Sequence, residues 1–108
     1  MKKNVLIFIV TPRTTYFTEK VRNYEKTQFE YVVLEDTNEL QSKAYESRPT
    51  FIVLDGMIHK QRRDELKKIV SVRRSNQKFV VLGVDPHTYS PTERVIRELG
   101  QLTSMVVV

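Results

Sequence analysis

Asp55 is the residue with the most obvious chemical potential in this chain of 108 residues. It follows Phe51-Ile52-Val53-Leu54 and precedes Gly56, the pattern of a strand buried on both faces that ends at a site. Open α/β sheets bind their ligands at the carboxyl ends of such strands. His59 and His87 fall in loops flanking the same edge, so a His-carboxylate metal or acid-base site is one reading. Loop histidines held by local hydrogen bonds are the plainer one, and no metal or cofactor is expected. No pairing of nucleophile and base points to a hydrolase or transferase. The chain has no cysteine, which excludes thiol catalysis, zinc-thiolate sites and disulfides.

Two further groups carry positive charge. Thr11-Pro12-Arg13-Thr14-Thr15 leaves the first strand and enters a helix, so Thr11, Arg13, Thr14 and Thr15 are candidates for holding an anion at free helix N–H groups. Capping by Thr14 or Thr15 accounts for these residues without any ligand. Residues 59–74 hold seven Lys or Arg against Asp64 and Glu65, a surplus equal to the +5 of the whole chain. Arg63, Lys67 and Arg74 fall within one stripe of the helix expected there, a candidate surface for an acidic protein partner. A solvated helix face is the bland alternative. Specific nucleic-acid binding is not expected, because the remainder of the chain is neutral and its aromatic residues form no spaced stacking platform.

The elements that must position these residues alternate along the whole chain. Apolar runs at Val5–Val10, Phe29–Leu34, Phe51–Leu54, Phe79–Val84 and Met105–Val108 read as strands. The first helix is expected from Thr14 or Thr15 to near Lys26, with Phe17, Val21 and Tyr24 inward, and the second from Thr37 or Asn38 to Arg48-Pro49, with Leu40, Ala44 and Tyr45 inward. The third starts at about Arg62 and buries Leu66, Ile69 and Val70. Ser90-Pro91-Thr92-Glu93 is a capping box for a fourth, with Val95, Leu99 and Leu102 inward. The order predicts one α/β domain over residues 1–108, with a five-stranded parallel sheet and helices on both faces. The absence of a long apolar run and of a signal-peptide layout predicts a cytoplasmic protein without a membrane span.

This alternation, with Asp55 closing the third strand, resembles the receiver domain of bacterial response regulators, the signalling module of two-component systems. The resemblance covers essentially the whole chain to the fifth strand. It implies the sheet order 2-1-3-4-5 and places Asp55 at the position that accepts a phosphoryl group from a histidine kinase. The family's other functional positions are not matched. Val10 and Thr11 stand where receivers carry the acidic pair that holds magnesium, Gly83 stands where they carry Thr or Ser, and Val107 or Val108 where they carry lysine.

Phosphoryl transfer needs a hard cation to neutralise the transferring oxygens. Asp55 alone holds one weakly, with Asp85 or Glu35 as possible second carboxylates. The resemblance is therefore to a degenerate receiver, and it implies a non-catalytic signalling module acting through protein–protein contacts. The alternatives are an atypical receiver phosphorylated at Asp55 and an anion- or nucleic-acid-binding α/β domain. Receivers continue after strand five into a fifth helix that is missing from this reading. The sheet face beside the first helix is then expected to be covered by a homodimer contact or by another part of a larger protein.

Overall fold

Alternation within β1 (Val5–Val10) sets up both layers of the molecule. Val5, Ile7 and Ile9 enter one core, and Leu6, Phe8 and Val10 the other, as the two-residue period of a strand requires. Only an interior strand can bury both sets. β1 accordingly pairs in parallel with β2 (Phe29–Leu34) on one side and β3 (Phe51–Asp55) on the other. β4 (Lys78–Leu82) adds to β3, and β5 (Val95–Ile96) to β4. The sheet is five-stranded and parallel in the order 2-1-3-4-5. These relations come from a computed structural model that describes residues 5–24, 29–83 and 92–105.

Helices cover both faces. α1 (Thr14–Lys20) runs into a 3-10 turn at Val21–Tyr24, and together they lay Phe17 and Val21 on the first core. α2 (Leu40–Ser47) and α3 (Lys60–Ser71) close the second core with Leu40, Ala44, Leu66 and Val70. Full burial of each large aliphatic side chain contributes roughly 1.5–3 kcal/mol. Every residue of β3 is buried, so Asp55 reaches its position on the most enclosed strand of the sheet. Among the described residues no helix is long and apolar enough to cross a membrane.

The carboxyl-terminal part departs from the expected layout. Val95, read as the inward face of a helix starting at Ser90, is in β5, where Val81 N–H donates to the Arg94 carbonyl at 2.8 Å and Gly83 N–H to that of Ile96 at 3.1 Å. Two consecutive β-branched residues suit a strand beside β4, and the Glu93 carboxylate, expected in a capping box, is engaged by α3 instead. Leu99 and Leu102 belong to a 3-10 helix, Leu99–Met105, that follows β5. Met105 therefore ends a helical segment rather than opening a fifth strand. Residues 84–91, with Asp85, His87 and the proposed cap Ser90, and Val106–Val108 lie outside the described residues.

The misplaced strand has a consequence for the surface. Leu99 and Leu102 are completely buried against the core that holds Phe17 and Val21. The face beside α1, expected to be covered by a homodimer contact or by another part of a larger protein, is covered by Leu99 and Leu102 from within the chain, which removes the reason for that expectation.

Candidate functional site

The site is built where β1 and β3 end side by side. Register pairs Val10 with Leu54, so the next residue of each strand, Thr11 and Asp55, emerges at the carboxyl edge together. Both are buried, Thr11 entirely and Asp55 to 1% exposure. The Thr11 hydroxyl donates to Asp55 Oδ2 at 2.7 Å and accepts the backbone N–H of Arg13 at 2.8 Å. The second bond orients the first, because the lone pair given to Arg13 N–H leaves the hydroxyl proton for the carboxylate.

Arg13 completes the arrangement. Its Nε donates to Asp55 Oδ2 and its Nη2 to Oδ1, each at 3.0 Å, the side-on fork that matches a carboxylate. The guanidinium carbon lies 4.9 Å from the Tyr16 ring centre and 5.1 Å from that of Phe17, contacts that attract a cation to a ring face. The hydrogen bond to Asp55 raises the guanidinium's pKa above its ordinary value, against the opposing effect of burial. The Arg13 side chain keeps 39% of its surface exposed, so the pair is sealed on the carboxylate side and wet on the cation side. A fourth donor, the Met57 backbone N–H, reaches Oδ1 at 2.9 Å from the turn after β3.

An ionised carboxylate offers about four lone-pair positions. Thr11, Arg13 twice and Met57 occupy that number. A metal ion or an incoming phosphoryl group has to displace one of these donors before it touches an Asp55 oxygen. The residues do not fit the magnesium site of the receiver family: a hydroxyl stands at Thr11 near the family's acidic pair, and a guanidinium supplies the positive charge. Glu35 is exposed and follows the end of β2, which β1 separates from β3 in the sheet. Among the described residues no three His, Cys, Asp or Glu side chains gather as metal ligands.

The candidate residues thus separate. Thr11 and Arg13, read as ligands for an anion at helix N–H groups, are instead hydrogen-bonded to the chain's own Asp55. Thr14 and Thr15 do not share in it: they open α1, whose N-cap position is Arg13 and has no side-chain capping bond. His59 caps α3, its Nδ1 accepting the Gln61 N–H at 3.2 Å, the local role that loop histidines commonly take.

The basic stripe is not one surface. Arg63 is 1% exposed and donates from Nε and Nη2 to the two oxygens of Glu93 at 3.0 and 2.9 Å, and from Nη1 to the Ile58 carbonyl at 2.7 Å. Lys67 donates to Glu93 Oε2 at 2.8 Å. Arg74 lies at the other end of α3, donating to the Ala44 carbonyl at 3.2 Å. Helical spacing grouped the three, but α3 ends at Ser71, so Arg74 leaves the stripe and turns to α2, and spacing carries no information about the segment, residues 92–96, whose Glu93 takes Arg63 and Lys67. No protein-family model, curated protein or solved structure matches this chain.

Proposed function

We propose that this domain is a non-catalytic, receiver-like interaction module whose aspartate position is permanently neutralised by an internal arginine. The observation that carries the reading is the saturation of Asp55 by Thr11, Arg13 and Met57. Where a switch domain keeps its carboxylate open to a cation and a phosphoryl donor, this one keeps an internal salt bridge in that place. Charge at the site is constant, so the surface around it presents one state to a partner. Tyr16, stacked by Arg13, and Met57, whose N–H holds Asp55, are both exposed around the pair. They supply the aromatic and sulfur-bearing contacts that protein interfaces favour.

The test is incubation with a small phosphodonor and Mg²⁺, followed by intact mass and amide chemical-shift mapping. The expected result is an unmodified mass and no magnesium-dependent shift at Thr11, Asp55 or Met57. Stoichiometric phosphorylation of Asp55 in the unaltered chain, with shifts spreading to β4, would overturn the reading in favour of an atypical receiver.

A further inference from the structure

The opposite end of the sheet carries a second charged feature. The carboxyl-terminal ends of α2 and α3 meet there, before β3 and β4, around a cleft of about 260 Å³ lined by Tyr45, Arg48, Arg73, Arg74, Ser75 and Asn76. No acidic residue lines it. Among the described residues none of the three arginines forms an ion pair. Two of them are positioned by the fold: the Arg73 guanidinium lies 3.9 Å from the centre of the Tyr45 ring, and Arg74 is held by the Ala44 carbonyl. The third, Arg48, ends α2 in the left-handed conformation at φ 51°, the one residue other than glycine with positive φ among those described. Glycine or asparagine occupies such a position more cheaply.

Compensation of helix dipoles is the simplest use for arginines at helix ends. It accounts for only part of the charge. Two helix carboxyl ends carry about half a negative charge each, which leaves about two positive charges of the three guanidiniums unmatched. We infer that this cleft binds a phosphomonoester group, with Arg48, Arg73 and Arg74 as its ligands. A phosphomonoester carries about −1.5 to −2 at neutral pH and presents three acceptor oxygens, matching the surplus in size and offering each guanidinium a bond. A single carboxylate supplies half that charge. The cleft volume holds a phosphate with a small organic group and is too small to seat a folded segment, while the Tyr45 ring, 42% exposed, forms an apolar wall for the organic part. This inference does not depend on the state of Asp55.

The experiment is a chemical-shift titration of the ¹⁵N-labelled full chain at constant ionic strength. The probes are inorganic phosphate, free O-phosphoserine and a phosphoserine inside a short capped peptide, with sulfate and glutamate as controls. Saturable shifts are expected at Tyr45, Arg48 and Arg73–Asn76, about tenfold tighter for the phosphomonoesters than for glutamate, as charge-assisted forks to a dianion require. Binding should weaken as pH falls through the second phosphate ionisation near about 6, while sulfate shows no such change. The tighter of the two phosphoserine probes tells whether the natural source is a small metabolite or a modified protein.

In the R48N/R73Q variant phosphomonoester affinity should fall by about tenfold or more. R48N alone relieves the left-handed backbone strain, so it keeps a folded partner variant available if the double one melts early. Equal affinity for glutamate, shifts that do not saturate, or full binding by either folded variant would overturn the assignment.

Discussion

Two arginine–carboxylate forks lie at two places in this molecule and are built to nearly the same bond lengths, yet their surroundings differ. In the Arg63–Glu93 pair both side chains are 1% exposed; in the Arg13–Asp55 pair the carboxylate is equally buried and the arginine is 39% exposed. The first joins α3 to the segment entering β5 and has a second cation, Lys67, on the same carboxylate. The second joins the ends of β1 and β3 at the edge where a receiver would do its chemistry. Burial of both partners makes a tie whose loss strands a charge away from water, whereas burial of one makes a stopper that water can partly replace. The surface pair Lys60–Asp64, exposed at both ends and joined at 2.7 Å, completes the series.

The largest effect should come from breaking the sealed pair at the carboxylate. Glu93→Ala leaves Arg63 buried without its counter-charge, and a loss of about 3–5 kcal/mol is expected, read as a lower urea midpoint at unchanged slope. Arg63→Ala should cost less, because Glu93 keeps Lys67. If Glu93→Ala loses no more than about 1 kcal/mol, the level of surface bridges, the contrast between the two forks is wrong.

Arg13→Ala should rank second. Asp55 retains Thr11 and Met57, and water enters on the side that Arg13 leaves, so about 1–3 kcal/mol is expected. The same variant sharpens the chemical side of the comparison. With two lone-pair positions freed, Mg²⁺ should shift the Met57 amide in Arg13→Ala and not in the unaltered chain. A variant that stays silent to magnesium would show that Arg13 is not what closes the site.

The smallest effect belongs to Lys60–Asp64. The hydrogen bond from the Lys60 ammonium holds the Asp64 carboxyl below its ordinary pKa, with burial acting weakly the other way. A folded value below the unfolded one means that the contribution is complete above about pH 3.9 and is lost as pH falls through the folded value. Lys60→Ala should remove that portion of the acid dependence, at a cost of about 0.3–0.5 kcal/mol at neutral pH. A stability profile against pH in both proteins measures it.

Much of this was legible in the residues themselves. The runs Val5–Val10, Phe29–Leu34 and Phe51–Leu54 determine their strands by composition and period alone, because the burial they need repeats within a few residues. The alternation of those runs with helices limits the topology to a parallel sheet, and Asp55 then falls at its carboxyl edge. The engagement of Thr11 and Arg13 was less legible: they read as ligands for an anion at helix N–H groups, and they hold the chain's own Asp55. Which anion they hold was decided only by the tertiary structure, since Asp55 lies 42 residues from Arg13 along the chain and comes within reach only when β1 and β3 pair. The same holds for Arg63, whose helical spacing is that of a surface residue until Glu93, 30 residues away, folds over it. β5 shows the limit from the other side. Val95 matches the helical spacing of Leu99 and Leu102 although the pair Val95-Ile96 favours a strand locally, and it is the free edge of β4 that selects the strand.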